Sequence, residues 1–159
     1  MAETLVVNTG PIITLHRMEA LAVVRKLPFV FCTTNHVVDE LEAGRQQGFP
    51  NERPEWMQVE SLGHPLRHFD EVTLGKGEAS VIQLALEKGF SKVCIDEVKG
   101  RRMATICGLD VLGVLGLLGR AKVLRYIDKL EPYIRKAIDA GIRYDERLVQ
   151  RVLQSVGEA

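Results

Sequence analysis

The sequence predicts an α/β protein built on a parallel sheet, and two observations carry that prediction. Short apolar runs, Leu5-Val6-Val7, Phe29-Val30-Phe31 and Val93-Cys94-Ile95, alternate with longer stretches of helical periodicity. That alternation is the signature of βαβ units. Polar residues, Asn8 and Asp96, stand just beyond two of the runs, where open parallel sheets bind ligands at the carboxyl ends of their strands.

Taken in order, Thr4–Asn8 reads as a buried strand, and Gly10-Pro11 breaks it and starts a helix, with the proline near the first-turn position it tolerates. Helix continues through Leu21 to Lys26 and stops before Pro28. Phe29–Cys32 is a second strand, and Thr34-Asn35 offers a cap for a helix running to about Gln47. Gly48–Glu55 is a loop, Trp56–Leu62 a third strand, and Gly63–Gly77 irregular. Ala79, Ile82, Ala85 and Leu86 give Glu78–Lys88 a helical stripe that ends at Gly89. Lys92–Asp96 is a strand, Glu97–Ile106 a helix and Asp110–Leu112 a short strand. From Val114 onward the pattern is helical, with breaks near Glu131-Pro132 and Gly141. One domain over residues 1–159, with a helical tail from about residue 126, is the expected organisation.

Composition excludes several classes. Of 159 residues, 46% are hydrophobic and 26% charged, as in ordinary globular proteins rather than disordered or fibrous ones. The longest apolar stretch, Val111 to Leu118, falls far short of the ~20 residues of a membrane span. No basic-then-apolar leader is visible, so the cytoplasm is the expected compartment. Cys32, Cys94 and Cys107 lack CxxC spacing and read as free thiols. Net charge is zero, yet Asn35–Glu78 holds nine acidic and four basic residues, while Lys92–Lys136 holds ten basic and five acidic. An acidic pocket beside a basic surface suits a phosphodiester held by the protein and cut at a metal.

The residues suited to that chemistry are Asn8, Glu40, Glu78 and Asp96. Hard divalent cations take oxygen ligands, and Mg2+ often needs only one or two protein carboxylates plus water. Glu78 falls in the first turn of a helix, where the dipole favours negative charge. Asp96 stands at a strand end, Glu40 on a helix, and Asn8 in the polar turn Asn8-Thr9-Gly10-Pro11. Glu97 is expected to start a helix and Asp39 to face solvent. His36 shares a helix face with Glu40, while His16, His64 and His68 show no ligand spacing. Lys99, Arg101 and Arg102 follow Asp96 and are the best candidate phosphate contacts. Gly113, Gly116 and Gly119 suit close helix packing. Aromatics, at 6%, are scattered and offer no base-stacking platform.

The segments Val7-Asn8-Thr9-Gly10-Pro11-Ile12-Ile13, Val38-Asp39-Glu40-Leu41, Gly77-Glu78-Ala79 and Cys94-Ile95-Asp96-Glu97, in this order, resemble the PIN-domain family of nucleases. The likeness is greatest to a prokaryotic PIN-like subfamily that opens on an Asn-Thr-Ser/Thr-Pro type motif. Gly108-Leu109-Asp110-Val111-Leu112-Gly113 and Arg120-Ala121-Lys122 fit it as well, and the similarity runs over essentially the whole chain. The resemblance implies a three-layer α/β/α sandwich with a central parallel sheet and a helical C-terminal tail. It implies a metal-dependent endoribonuclease using Mg2+ or Mn2+, with RNA as substrate, a homodimeric state, and the toxin half of a toxin–antitoxin pair as one setting. Mapped onto this chain, the site quartet is Asn8, Glu40, Glu78 and Asp96, with Glu40, Glu78 and Asp96 as metal ligands. Two positions depart from the pattern. Active members normally carry aspartate where Asn8 stands, so the pocket has a nominal charge of −3 instead of −4, with a neutral oxygen in the fourth place. Val114 occupies a place where the subfamily tends to carry a hydroxyl. The alternative implied by these departures is a weakened or inactive module that binds nucleic acid or a protein partner.

Overall fold

A computed structural model of the chain describes residues 2–69 and 73–159. Asp70 and Glu71, which contribute to the acidic segment counted above, lie outside the described residues, as do Met1 and Val72. The element order is β1 (Glu3–Val7), α1 (Thr9–Arg17), α2 (Leu21–Val24), β2 (Phe29–Thr34), α3 (Asn35–Gln46), β3 (Gln58–Glu60), α4 (Lys76–Lys88), β4 (Lys92–Cys94), α5 (Val98–Ile106), β5 (Asp110–Leu112), α6 (Val114–Val123), α7 (Glu131–Asp139) and α8 (Glu146–Ser155).

All five strands are parallel, in the order β3-β2-β1-β4-β5. The chain builds outward from β1 to β2 and β3, then returns to lay β4 and β5 on the other side. β1 and β4 are therefore neighbours at the point where the strand order reverses, the place where such sheets open a crevice at their carboxyl ends. Leu5, Val6 and Val7 are all buried. Successive strand residues point to opposite faces, so both faces of β1 are covered, as the apolar run predicts.

The contacts fall into two compact units, each with its own core. The first comprises the residues up to Ile13 together with Pro28–Gly113 and contains the sheet. In it, α4 packs across β2, β1 and β4, α3 against β2 and α4, and α5 against β5 and α4. A helix that connects parallel strands runs antiparallel to them, which brings the N-terminus of α4 to the carboxyl edge of the sheet. The second unit comprises Thr14–Leu27 and Val114–Ala159 and is helical. Leu117, Leu118, Leu130 and Ile134 are buried in it. Glu158 closes it: its carboxylate accepts the Leu130 amide at 2.7 Å, the Glu131 amide at 3.1 Å and the Lys122 ammonium at 2.7 Å. The helical stretch expected from about residue 126 is thus part of a larger helical unit.

Several boundaries differ from the expectation for local reasons. The first helix does not run through to Lys26. Glu19 takes a left-handed conformation (φ 57°), its amide bonds to His16 O and the Ala20 amide to Leu15 O. That reversed pair of bonds ends a helix, a role usually given to glycine. The third strand shrinks from Trp56–Leu62 to Gln58–Glu60, with Trp56 packed edge-on against Phe31 at 5.4 Å. β4 ends at Cys94 and α5 begins at Val98, which leaves Asp96 on the connecting turn. Gly89 ends α4 with φ 71°, as predicted.

Candidate functional site

Asn8 is the residue immediately after β1, and its amide bonds to Cys94 O at the end of β4, 3.0 Å away. It therefore stands in the crevice where the strand order reverses. The residue is only 4% exposed, and its Oδ1 is buried without a hydrogen-bond partner. A buried acceptor left unpaired costs about 1–3 kcal/mol, and native structures seldom keep one without a reason.

Thr9 and Gly77 connect Asn8 to the carboxylates. The Thr9 hydroxyl donates to Glu40 Oε2, which ties the end of β1 to α3. The Gly77 amide, at the N-terminus of α4, donates to Glu40 Oε1 at 2.9 Å. Free amides at a helix start favour an anion there. Only glycine leaves Glu40 in this pose, since a Cβ on Gly77 would stand 2.6 Å from Glu40 Oε2. Buried hydroxyls hold the arrangement from below. The single Ser80 hydroxyl proton goes to Gly77 O at 2.7 Å, so in the 2.7 Å Thr34–Ser80 pair Thr34 donates. Thr34 Oγ1 also caps α3 by accepting the Val37 amide.

Glu78, in the first turn of α4, is half-buried beside these groups. Burial pushes its carboxyl above the usual range; its own backbone amide opposes that, and the charges of Glu40 and Glu97 add to it. The structure thus brings Glu40 and Glu78 together. Glu97 is the expected helix start, capping α5 by accepting the Lys99 amide at 3.1 Å and the Gly100 amide at 2.8 Å, while its charge still reaches Glu78.

Asp96 is exposed on the neighbouring turn and is gathered with Arg101 instead. A Cβ on Gly113 would lie 2.9 Å from Asp96 Oδ1 and 3.1 Å from Arg101 Nη1, so both side chains converge on the bare side of that glycine. Arg101 also donates to Ile95 O at 2.7 Å, so its guanidinium folds back over the end of β4. Lys99 and Arg102 are exposed on α5. Val114 is fully buried.

Three contributors escaped the sequence reading: Thr9, Gly77 and Gly113. The sequence shows them as ordinary turn and packing residues, and only the approach of another element gives each its part. The cysteines are free, and burial pushes the Cys32 thiol up to about 12 and Cys94 well above its usual value, with the nearby acids Glu60 and Asp96 adding to the shifts. Neither is a thiolate nucleophile or ligand at neutral pH.

The donor set suits a hard divalent cation in kind: it offers oxygen atoms only, the unpaired Asn8 Oδ1 among them, and the charge of Glu40 bears on Glu78. Among the described residues no three His, Cys, Asp or Glu side chains lie close enough together to hold one metal ion. A Mg2+ ion that keeps several waters needs fewer protein carboxylates than that. Among the described residues no helix is long and apolar enough to cross a membrane.

A family model described as PIN domain matches residues 4–158, a span that covers all of the sheet but Glu3, together with the site and the C-terminal helices. No curated protein and no solved structure matches the chain. The PIN-type match and the parallel sheet with its acidic crevice agree with one another, and the chain belongs to the PIN-domain family.

Proposed function

We propose that the protein is a metal-dependent endoribonuclease that hydrolyses RNA phosphodiester bonds in the crevice at the carboxyl ends of β1 and β4. The observation that carries this reading is the buried, unpartnered Asn8 Oδ1, on the residue next to the Thr9 that holds Glu40, whose charge in turn bears on Glu78. Mg2+ or Mn2+, when bound, supplies a hydroxide near neutral pH and offsets charge on the phosphate. Glu40 and Glu78 would hold the ion directly, and Asp96, gathered with Arg101, would act on it through a bound water. Glu40 is oriented by Thr9 and Gly77, and Asn8 orients a water or gives its oxygen to the ion. Lys99 and Arg102 offer phosphate contacts on α5, with Arg101 acting closer in, beside Asp96. In this reading the chain works in the cytoplasm as a homodimer, and a small antitoxin protein restrains it as a toxin. Light scattering on the purified protein and a search for a co-purifying small partner test those two points.

Incubation with single-stranded and structured RNA in Mg2+ or Mn2+, beside Asp96→Asn, tests the activity. Cleavage that survives the substitution refutes the site. Calorimetric titration with Mn2+ is the companion measurement, and no heat at millimolar metal refutes a metal centre.

A second reading is favoured by a specific observation. The neutral Asn8 and the lack of any three-carboxylate cluster among the described residues suit a PIN-like module that binds nucleic acid or protein without cutting. Asn8→Asp separates the two: a nuclease short of one charge gains activity, whereas a binding module stays inert and still binds RNA.

A further inference from the structure

Glu40 lines a second space besides the crevice. An open pocket of about 1180 Å³ lies beside it, bounded by one face of α3, the start of α4 and the segments flanking residues 70–72. That volume exceeds the ~300–1,000 Å³ typical of small-molecule sites, so it has room for a polymer segment. His36, Arg67, His68, Phe69 and Lys76 stand in its wall with Glu40. Asp39 stands there too, a second carboxylate on α3. The Arg67 guanidinium lies over the Phe69 ring, 5.6 Å from its centroid. Planar cation and aromatic ring together are the elements by which proteins hold a phosphate and stack an adjacent base.

The loop that carries Arg67 is anchored to α4. Gln83 is 1% exposed and spends its whole amide on that loop, accepting the Arg67 amide at 2.7 Å and donating to His64 O at 3.2 Å and Pro65 O at 3.0 Å. Glu87 accepts the Gly63 and His64 amides from the same helix. A loop held at this many points presents its side chains with little further ordering cost.

We infer that this pocket is a subsite for single-stranded RNA, in which the nucleotides flanking the scissile phosphate stack on Phe69 and lay their phosphates on Arg67 and Lys76. The inference rests on the nuclease reading above and adds the form of RNA and the side from which it enters. It assigns strand binding to the α3–α4 side, next to Glu40. The α5 face, where Lys99 and Arg102 offer phosphate contacts, is left to the strand beyond the scissile phosphate, and its Arg101 is already folded back onto Ile95 O.

The test is fluorescence anisotropy of a fluorescein-labelled single-stranded oligouridylate in EDTA, over a series of salt concentrations, with the same sequence annealed into duplex as competitor. Phe69→Ala is expected to weaken binding by about 5- to 150-fold, the worth of one stacked base. Arg67→Ala and Lys76→Ala are each expected to reduce the slope of log K against log salt by about 0.7, the share of one phosphate contact on a single strand. Gln83→Leu is expected to weaken binding without touching the RNA. Duplex that competes as well as single strand overturns the assignment, and so does loss of binding confined to Lys99→Ala and Arg102→Ala. If the wild type neither binds nor cuts RNA, the nuclease reading falls with it. If it binds and cuts but the pocket variants behave as wild type, only the subsite falls.

Discussion

Gly77→Ala separates stability from function at this site. The added Cβ would stand 2.6, 2.8 and 2.9 Å from Oε2, Oε1 and Cδ of Glu40, between 0.5 and 0.8 Å inside the 3.4 Å at which ordinary contact begins. The obstructed group is the end of a flexible side chain, so the carboxylate swings away and the helix stays where it is. Glu40 then loses the Gly77 amide and the Thr9 hydroxyl. Bonds to a charged group are worth about 1.5–3 kcal/mol each when the partners have no substitute, and this part-buried carboxylate regains much of that from water. Alanine in a helix returns about 0.5–1 kcal/mol relative to glycine. The net destabilisation is about 1 kcal/mol. Function suffers more, because moving a ligand by about 1 Å costs on the order of 100-fold in rate. Urea unfolding in EDTA, Mn2+ calorimetry and RNA cleavage measure the three quantities. Gly44→Ala, in α3 of the same unit with nothing within 4 Å of its Cβ, is the control and gains about 0.5–1 kcal/mol with unchanged activity. The reasoning is refuted if Gly77→Ala gains stability as Gly44→Ala does, or if it keeps wild-type Mn2+ affinity while Glu40→Gln loses it.

The remaining predictions concern charge and anchoring. Glu78→Gln stabilises the metal-free protein at neutral pH. Burial first, then the charges of Glu40 and Glu97, hold this carboxyl above its ordinary 4.5 against the pull of its own amide, and an acid raised on folding costs stability as pH rises through its folded value. Unfolding curves across a pH series check this, since the gain vanishes below about pH 4.5. Glu158 has the opposite sign: burial pushes its carboxyl up, but Lys122 and the Leu130 and Glu131 amides together hold it below 4.5, so its contribution is present above that pH and lost as pH falls through its folded value. Glu158→Ala costs about 2–4 kcal/mol in urea unfolding at neutral pH, because it strands two helix-start amides and a part-buried ammonium. Gln83→Leu speeds amide exchange at Arg67 and costs about 1–3 kcal/mol for three lost bonds to the loop; unchanged exchange refutes the anchoring. Asn8→Asp tightens Mn2+ binding and lowers metal-free stability, since it adds a fourth negative charge to a crowded crevice.

Local chemistry made much of this molecule legible from its residues. Apolar runs such as Leu5-Val6-Val7 can satisfy their pattern only as strands buried on both faces, and Gly89 ends its helix because it reaches a left-handed conformation at little steric cost. The helix break at Glu19 was invisible because the same conformation is carried there by a residue with no preference for it. The length of β3 escaped as well: pairing with β2 is a property of two segments, and Trp56 answers to Phe31 across the fold instead of continuing the strand.

By itself, the sequence determined the parallel α/β class and the family, and it singled out Asn8, Glu40, Glu78 and Asp96 as candidates, because these follow from patterns spanning a few residues. Only the tertiary structure decided how those positions group: Glu40 and Glu78 together beneath Thr9 and Gly77, Asp96 with Arg101 at Gly113, and Asn8 Oδ1 buried without a partner. Distances between residues 31 or 37 positions apart in the chain are set by how strands pair and helices pack, and no local preference encodes them.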